Sequence, residues 1–549
     1  MNKKTILLLG LIIVLAFFLR LYRVTEVPPT LNWDEVSIGY NAYSVLKTGR
    51  DEWGKFLPIH FKAYGEYKLP AQIYASIPGI ALFGLNELGV RITPVIYGTL
   101  TVMAVFFLSL ALFRSSWVGM GAAFLLAISP WHIHLTRASF ESSFAVFWVV
   151  LGIWFLVKGF EDKKWFILSM IPFAVSVYTY NTARVFTPLF LIFLLLLFRK
   201  TFFKLPRIVL ASLVVFLILM IPLLPYYLSG EGNARYKLVS ITDDPGLVLR
   251  INENRGNSSL PDPLPRLAHN KATYIFYYVA GNYLAHFTPD FLFFSGAPHK
   301  QHHVQGMGEL YLFQAPFLLL GLYFLFKTQN KFRWLLISWL LLAFVPVSMT
   351  QDSIPHALRT LVSVPVYQLL SALGLYEVFL LVGKRKTLQT ATAFVTVIVI
   401  VVSVAFYLNN YYKNYAVNYS RDWQYGYKQA VAYINEHQNE YDQLVFSRRY
   451  GEPHMFTLFY LNYPPSSYQN NPNLVRYETN DWVWVLNFDK YYFPDLSDEG
   501  TSFKDIVNKN PGKRQLYIGK PEDFPSDYPR LKSISFLNAA PAFDIVEVR

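Results

Sequence analysis

The amino-acid sequence predicts a mainly α-helical, polytopic membrane domain followed by a small α/β domain. Of its 549 residues, 53% are hydrophobic and only 15% are charged, whereas soluble domains carry about 25% charged residues. The apolar residues stand in long blocks, which indicates membrane-spanning helices rather than one large soluble core. After residue 410 these blocks give way to short strand-like runs and one helix-like run, which is typical of a small α/β domain.

About eleven apolar segments are long enough to cross a bilayer, at roughly 17–25 residues per crossing. The first begins with Lys3 and Lys4 and has no small-residue cleavage site, so we expect a retained span rather than a signal peptide. The predicted segments are 5–22, 92–113, 117–135, 142–158, 165–180, 184–198, 207–228, 311–327, 333–349, 358–382 and 388–408.

The charges follow the positive-inside rule. With a cytoplasmic N-terminus, the connections on that side hold 16 basic and two acidic residues, and the rest of the chain holds 33 basic and 34 acidic residues. The net charge of +13 therefore comes from one side of the membrane, which indicates orientation rather than nucleic-acid binding. We expect a multi-pass plasma-membrane protein. Cys is absent, which excludes disulfides, thiol nucleophiles and thiolate metal sites.

We therefore expect two domains: a membrane domain over 1–410, with outer loops 23–91 and 229–310, and an extracytoplasmic α/β domain over 411–549. The first helix of the first loop has an aromatic face that suits the bilayer interface. The predicted elements are helices over 34–47, 70–83 (interrupted at Pro78-Gly79) and 423–436, and strands over 443–446, 482–485 and 515–518.

The acidic pair Asp34-Glu35, which follows the first span, is the main candidate for chemistry. Two carboxylates at a membrane surface are costly unless they cap, pair or react. One interpretation is structural, because Asn32 can cap a helix and Glu35 can complete a capping box. The other is a general base or metal ligand facing a pocket at the outer surface. The two are compatible, because Glu35 can cap while Asp34 projects.

Four cations lie near the predicted outer ends of spans and surface helices: Lys68, Arg137, Arg184 and Arg359. Taken singly, each fits an interface anchor, and Arg137 can also pair with an acid four residues further on. Together they would form a basic pocket opposite Asp34, which suits the phosphate of an anionic lipid. Polar neighbours in the same segments are expected to line it: Tyr67, Glu141, Tyr180 and His356.

His302, His303 and Glu309 form a second polar group, before the eighth span. Two His and a Glu can bind a metal, but adjacent His residues rarely chelate one ion together. We therefore assign no residue as a metal ligand and leave a divalent metal open.

The order of these motifs resembles the GT-C glycosyltransferases, specifically the bacterial group related to protein O-mannosyltransferases and lipid A aminoarabinose transferase. An acidic pair follows the first span, Lys68-Leu69-Pro70 leads into a surface helix, and Arg91 opens the second span. An outer Arg and acid then follow the third span, and a Tyr/Arg turn follows the fifth. The resemblance covers about residues 1–410 and is strongest in the first 190.

The resemblance implies a mannosyltransferase-like enzyme that uses a sugar on a polyprenyl phosphate at the outer face of the membrane. It implies that Asp34 is the catalytic carboxylate with Glu35 beside it, and that Lys68 meets the lipid-linked phosphate. Arg137, Arg184 and Arg359 are assigned to the same pocket. The expected reaction is an inverting displacement that moves a hexose or pentose to a glycolipid, a cell-envelope glycan or a protein.

Two other classes remain open. A polytopic transporter or lipid flippase would explain the spans, although such proteins usually carry ionisable groups near mid-membrane. In this chain the candidate polar groups cluster at one face instead. A receptor or scaffold would explain the C-terminal domain but not the acidic pair.

Overall fold

The computed structural model describes residues 2–244, 246–383, 385–479, 482–497 and 500–548. The chain folds as two compact units. Unit 1 comprises Met1–Arg20, Ile96–Thr136 and Glu141–Tyr407, and unit 2 comprises Leu21–Val95, Arg137–Phe140 and Leu408–Arg549. The sequence assigned the first outer loop to the membrane domain, whereas the structure groups that loop with the C-terminal segment.

Apolar helices overlap every predicted span. Within the described residues, six are long and apolar enough to cross a membrane: Lys3–Leu21, Glu87–Phe113, Glu141–Gly159, Pro206–Leu228, Leu361–Val382 and Lys386–Asn418. Five are shorter: Ser116–Ile128, Lys164–Val177, Asn181–Leu197, Gln314–Lys327 and Arg333–Ser348. A multi-pass membrane protein is therefore supported, and the number of crossings stays a prediction.

The predicted loop 229–310 is built from short helices. They are Ala234–Val239, Leu247–Gly256, Leu264–Ala268 and Lys271–Ala285, followed by a π-helical turn at Asp290–Phe294. The longest begins where Asn270 accepts hydrogen bonds from the backbone N–H groups of Ala272 and Thr273. Such a cap satisfies N–H groups that have no partner inside the helix.

Two glycines let helices of unit 1 touch backbone to backbone. A Cβ on Gly321 would lie 1.9 Å from the Leu370 carbonyl oxygen, and one on Gly374 would lie 1.9 Å from the Phe317 carbonyl oxygen. Small residues at such crossings are typical of helix packing in membranes, where close contact replaces hydrophobic burial as the driving force.

Unit 2 contains the helices of the first outer loop, at Trp33–Thr48 and Pro70–Phe83. The interruption predicted at Pro78-Gly79 is wrong, because the second helix continues through both residues. Gly79 packs too closely for a side chain, since a Cβ there would lie 2.5 Å from the Gly89 carbonyl oxygen. Between the two helices lies a two-stranded antiparallel hairpin, β1 (Phe61–Ala63) and β2 (Glu66–Lys68).

The C-terminal segment of unit 2 forms a seven-stranded mixed sheet. Its strands are β3 (Gln443–Phe446), β4 (Val475–Glu478), β5 (Val483–Phe488), β6 (Tyr491–Tyr492), β7 (Gln515–Gly519), β8 (Arg530–Ser535) and β9 (Pro541–Val548). They stand in the order β4-β5-β6-β3-β7-β9-β8, with β3 parallel to β6 and β7 and the remaining pairs antiparallel. The three predicted strands are confirmed with small shifts.

The helices of this segment are Tyr427–His437, Pro453–Tyr460, Pro465–Gln469 and Phe503–Lys509. The first starts four residues later than predicted, because Gly426 takes a left-handed conformation with φ of 110° just before it. Trp423, the predicted first helical residue, is fully buried instead.

The helix Trp33–Thr48 is part of the core of unit 2. Val36 and Tyr40 are fully buried in one apolar cluster with Tyr427, Phe456 and Phe459 of the C-terminal segment. At Val36 and Tyr40 the predicted placement at the bilayer interface is therefore wrong, since the C-terminal segment covers them, whereas Leu46 of the same face is exposed. This packing is what positions the acidic pair.

Candidate functional site

The acidic pair stands in the first turn of the helix Trp33–Thr48. Asn32 Oδ1 accepts a hydrogen bond from the Glu35 backbone N–H at 2.9 Å, and Glu35 Oε2 accepts one from the Asn32 backbone N–H at 3.3 Å. The predicted capping box is therefore confirmed. Because Glu35 turns back to cap the helix, Asp34 is the member of the pair that projects away from it.

Glu35 is held in a fully buried ion pair with Arg91. Arg91 Nε donates to Oε1 at 2.9 Å and Nη2 donates to Oε2 at 2.8 Å, which is the bidentate geometry of a strong pair. The Ser139 backbone N–H also donates to Oε1, at 3.0 Å. These contacts account for the burial of the charge and favour the structural interpretation of Glu35.

The other donors of Arg91 hold the backbone that precedes Asp34. Nη1 donates to the carbonyl oxygens of Val24 and Pro28, each at 2.8 Å, and Nη2 donates to that of Thr30 at 2.5 Å. With the two bonds to Glu35, all five guanidinium N–H groups are used. Arg91, read from sequence as a span opening, therefore braces the loop between the first span and Asp34.

Asp34 pairs with Lys68, the cation that the sequence predicted for phosphate. Lys68 Nζ lies 2.6 Å from Asp34 Oδ1 and 3.6 Å from Glu66 Oε1. The Lys68 side chain is 2% exposed, whereas that of Asp34 is 32% exposed. Within the described part of the chain, Asp34 Oδ2 accepts no hydrogen bond. The pair thus offers one open carboxylate oxygen next to a buried ammonium group.

The C-terminal segment holds the residue before Asp34. The Trp33 backbone N–H donates to Gln424 Oε1 at 2.9 Å, and the Tyr64 hydroxyl donates to the Trp33 carbonyl oxygen at 2.8 Å. Gly451 lies against the Trp33 ring, since a Cβ there would be 2.7 Å from the ring edge. Burial raises the pKa of Tyr64 well above its ordinary value, so the hydroxyl stays a donor. Sequence reasoning missed Gln424 and Gly451, because no local pattern marks a contact across some 400 residues.

A third carboxylate, Glu52, is buried in unit 2 without a bidentate arginine. Asn41 Nδ2 donates to its Oε1 at 3.2 Å, and the Glu52 backbone N–H donates to Asn41 Oδ1 at 3.1 Å. Burial raises the pKa of Glu52 to about 6.

Arg137 lies in unit 2 and is fully buried. Its Nε and Nη2 donate to the Val27 carbonyl oxygen at 3.2 and 2.7 Å, and its guanidinium lies over the rings of Tyr411 and Tyr412. Arg137, like Arg91, therefore stabilises the conformation of the loop that precedes Asp34.

The other predicted residues lie in unit 1. Arg184 donates to Asn181 Oδ1 at 2.7 Å and to the hydroxyls of Tyr226 and Tyr227 at 3.2 and 3.0 Å. Arg359 is buried and donates to Thr350 Oγ1 at 2.7 Å and to Asp352 Oδ2 at 2.8 Å. Glu141 begins the helix Glu141–Gly159, and His356 is buried three residues before Arg359. Tyr67 lies in β2, beside Lys68 in unit 2.

Arg359 and Tyr180 line one small, partly open recess in unit 1. Ser142 and Thr182 add hydroxyls, and the remaining wall is apolar: Ala145, Val149, Ala183, Leu358 and Val362.

The residues considered for a metal do not converge on one point. His303 Nδ1 lies 2.9 Å from Glu309 Oε1 in a buried pair, whereas His302 stacks on His299. Burial alone would lower the pKa of His303, but Glu309 raises it above its ordinary value. Among the residues that the structure describes, no group of three metal-binding side chains could hold an ion.

Residues 72–226 match the family model described as dolichyl-phosphate-mannose-protein mannosyltransferase. No curated protein sequence matches the chain significantly.

Solved structures that share the fold include the following two. ArnT from Cupriavidus metallidurans, bound to undecaprenyl phosphate, is 13% identical with a TM-score of 0.54, over 100% of this chain and 98% of that chain. The archaeal oligosaccharyltransferase AglB from Archaeoglobus fulgidus, in complex with an inhibitory peptide and a dolichol-phosphate, is 13% identical with a TM-score of 0.51 over 83% of this chain. The chain spans 64% of the length of AglB.

The chain shares its fold with ArnT and AglB, and over residues 72–226 it is similar to the dolichyl-phosphate-mannose-protein mannosyltransferases, which confirms the resemblance drawn from the sequence.

Proposed function

We propose that this protein is an integral-membrane glycosyltransferase that moves a monosaccharide from a polyprenyl-phosphate donor to an acceptor hydroxyl outside the cytoplasm. The observation that carries the proposal is the pair of Asp34, one third exposed, and Lys68, almost fully buried, at 2.6 Å. The relatives support the donor class, since ArnT binds undecaprenyl phosphate and AglB a dolichol-phosphate. The acceptor is a glycolipid, a cell-envelope glycan or a protein.

In the proposed reaction Asp34 is the general base. Its open oxygen takes the proton of the acceptor hydroxyl while the hydroxyl oxygen bonds to the anomeric carbon of the donor sugar. The bond from that carbon to the phosphate oxygen breaks, and the phosphate leaves with the electron pair. A single displacement of this kind inverts the anomeric centre. A positioned base of this sort contributes about 10²–10⁴-fold to the rate.

Lys68 supplies positive charge for the leaving phosphate. In the structure its ammonium group is shared between Asp34 and Glu66. A phosphate that binds Lys68 would compete with Asp34 for that group and release the carboxylate for the acceptor hydroxyl. Donor binding and the availability of the base would thereby be coupled through one side chain.

Glu35 and Arg91 are positioning residues in this proposal. Every N–H of Arg91 is engaged with Glu35 or with the loop before Asp34. Neither side chain needs to touch substrate to be required, because a displacement of about 1 Å at a catalytic group can cost about 10²-fold in rate.

The proposed contacts of Arg137, Arg184, Arg359, Tyr67, Glu141, Tyr180 and His356 with substrate stay predictions, as does a divalent metal.

The test is Asp34→Asn, which keeps the shape of the side chain and removes its basicity. Membranes from cells that lack the protein would be supplied with purified wild-type or variant protein, and new glycolipids and glycoproteins quantified by mass spectrometry. We expect Asp34→Asn to lose transfer by at least about 100-fold while its thermal midpoint stays at the wild-type value.

Glu26→Gln is the matched control, because Glu26 is an acid of the same loop with a side chain that is 59% exposed. It should transfer at the wild-type rate. Wild-type turnover by Asp34→Asn would contradict the proposal, and so would lipid movement across vesicles with no glycosidic bond formed.

A further inference from the structure

Partly exposed tryptophans of unit 2 form a strip that begins beside the proposed base. Trp33 directly precedes Asp34, and its ring centroid lies 6.0 Å from that of Trp482. The Trp482 ring centroid in turn lies 5.8 Å from that of Trp484. Trp33, Trp482 and Trp484 are each partly exposed, and we call them the tryptophan strip. The strip extends the partly exposed surface at Asp34 toward the C-terminal sheet.

Buried groups hold the Trp482 ring in one orientation. The buried Tyr64 ring stacks on it, with centroids 5.8 Å apart and an interplanar angle of 11°. Trp482 Nε1 donates to Glu452 Oε1 at 2.5 Å, and Glu452 Oε2 lies 3.2 Å from His454 Nδ1. Glu452 is 1% exposed. A ring that is oriented in advance loses little conformational freedom when a ligand binds to it.

The other end of the strip carries charged groups. The Arg448 guanidinium lies over the Trp484 ring, 4.3 Å from its centroid. Arg448 also donates to the Tyr477 hydroxyl, and its Nη2 lies 3.9 Å from Asp495 Oδ2. Arg448, Tyr477 and Asp495 are all partly exposed. Strong hydrogen-bonding groups therefore stand beside the rings, because bonds that involve a charged partner are the stronger ones.

The strip lies at the carboxyl edge of the parallel strands. Arg448 follows β3 and Asp495 follows β6, and these two strands are parallel neighbours. Strand β5 runs antiparallel to β6, so its first residues, which include Trp484, lie at the same edge. The loop after β3 also contacts Trp33 through Gly451. Ligands of α/β domains bind outside the carboxyl ends of parallel strands.

The backbone beside Trp482 is already engaged, which favours recognition by side chains. The Val483 backbone N–H donates to the Tyr64 carbonyl oxygen at 2.9 Å, and the Trp482 carbonyl oxygen accepts the Thr479 N–H at 2.8 Å. An extended peptide therefore cannot add to the sheet at this point. An acyl chain would leave Arg448 and its partners poorly solvated. A sugar fits both features, because its ring has apolar C–H faces and hydroxyl groups at the edge.

We propose that the tryptophan strip binds a sugar ring of the acceptor, so that the acceptor of this enzyme is a carbohydrate. The inference rests on the proposed function and deepens it, since it selects one chemical class of acceptor. Trp33 would contact the sugar whose hydroxyl gives its proton to Asp34. Trp482 and Trp484 would contact the next part of the same molecule. These rings bind and orient the acceptor and take no part in bond formation.

The first experiment identifies the class of the acceptor. Envelope material from cells that lack the protein serves as the acceptor, and purified donor lipid and full-length protein in detergent are added to it. Before the assay, the acceptor material is treated with periodate, which cleaves vicinal diols of sugars, or with proteinase K. We expect periodate to abolish acceptor activity and the protease to leave it intact. Activity that the protease destroys and periodate spares would overturn the inference.

Partition of the acceptor material between butanol and water identifies the source of the sugar. Periodate-sensitive activity in butanol assigns the strip to the sugar head of a glycolipid, and activity in water assigns it to a free glycan. Either result supports a carbohydrate acceptor.

The second experiment tests the strip itself with Trp482→Ala. We expect the KM for the acceptor material to rise about tenfold or more, while kcat, the thermal midpoint and the slow hydrolysis of donor by water stay near the wild-type values. Trp482→Phe keeps a ring and loses the bond to Glu452, so it should recover most of the affinity. A ring that served only the fold would instead lower the thermal midpoint and kcat together.

Phe56→Ala is the matched control, because Phe56 is a 63% exposed ring of unit 2 outside the strip, and it should keep the wild-type KM. An unchanged KM in Trp482→Ala would overturn the inference. This failure is distinguishable from failure of the proposed function. A wild-type protein that consumes donor, with an unchanged KM in the variant, loses only the strip. A wild-type protein that consumes no donor lipid loses the proposed function itself.

Discussion

Asp34 and Glu35 are adjacent in the chain and have the same functional group, yet they occupy opposite environments. Glu35 is fully buried, and its two oxygens receive four hydrogen bonds from Arg91, Asn32 and Ser139. Asp34 is 32% exposed, and one of its oxygens is bonded to Lys68. The difference arises because consecutive residues in the first turn of a helix point in different directions.

The comparison shows how one loop can hold both a rigid brace and a reactive group. A buried carboxylate that accepts a bidentate arginine cannot release that partner without a large cost. A partly exposed carboxylate beside a lysine can exchange its partner, since an ammonium group has no fixed fork geometry. The stability of the site therefore depends on Glu35, and its proposed chemistry depends on Asp34.

The largest effect on stability is expected from Arg91→Met. The change leaves the Glu35 charge buried without its partner and removes the donors to Val24, Pro28 and Thr30, so we expect a loss of about 3–5 kcal/mol in the free energy of unfolding. Chemical denaturation of the purified protein measures it. Arg50→Met is the control, because Arg50 is exposed and its guanidinium donates to the Gly54 carbonyl oxygen. If the denaturation midpoint of Arg91→Met were unchanged, the Glu35–Arg91 pair would not stabilise the site, and the proposed difference between Glu35 and Asp34 would be contradicted.

An intermediate effect on the free energy of unfolding is expected from Glu52→Gln. Among the described residues, Glu52 is a buried carboxylate without a bidentate arginine. The rise in the pKa of Glu52 from 4.5 to about 6 costs the charged form about 2 kcal/mol. Between these values the folded protein binds more protons than the unfolded chain, so this contribution to stability is lost as pH rises through 6.

Glu52→Gln removes that dependence. Its free energy of unfolding relative to wild type should increase by about 2 kcal/mol from pH 4 to pH 8, as measured by denaturant titration at each pH. Glu26→Gln, a change of the same kind at an exposed acid of unit 2, is measured in parallel as the control. If the free energies of unfolding of Glu52→Gln and wild type differed by the same amount at every pH, burial would not perturb the pKa of the Glu52 carboxyl.

The smallest effect on the free energy of unfolding is expected from Asn32→Ala, which removes the helix cap and leaves Asp34 and Glu35 in place. Loss of an N-cap costs about 1 kcal/mol, and the tilt of the first turn should also reduce transfer, because Asp34 lies in it. Asn270→Ala is the matched control, since it removes a similar cap from a helix of unit 1. Equal losses of transfer in both variants would mean that the effect is general rather than local to Asp34.

Sequence reasoning reached the parts of the structure that local patterns encode. Long apolar blocks located the spans, the Asn32-x-x-Glu35 spacing predicted the capping box, and strand-like runs located three strands. It also selected Lys68, which the structure brings to Asp34.

The remainder depends on contacts between distant parts of the chain. The hydrogen bond between Trp33 and Gln424 joins residues that are 391 positions apart. Neither local sequence predicts that the two residues are in contact. The aromatic face of the Asp34 helix was expected at the bilayer interface for the same reason, because a half-apolar helix fits lipid and protein equally well until its partner is known. Arg184 was grouped with the other cations by position along the chain, whereas its contacts are with Tyr226 and Tyr227.

The two parts of unit 2 are made at different times. Residues 21–95 are synthesised before residues 408–549, and a domain completes its folding only when all its parts are present. Gly39 gains its packing partner Phe459, and Trp33 its acceptor Gln424, only once the C-terminal segment has been made. The helix turn that carries the proposed base is therefore held in place late in folding, by contacts with that segment.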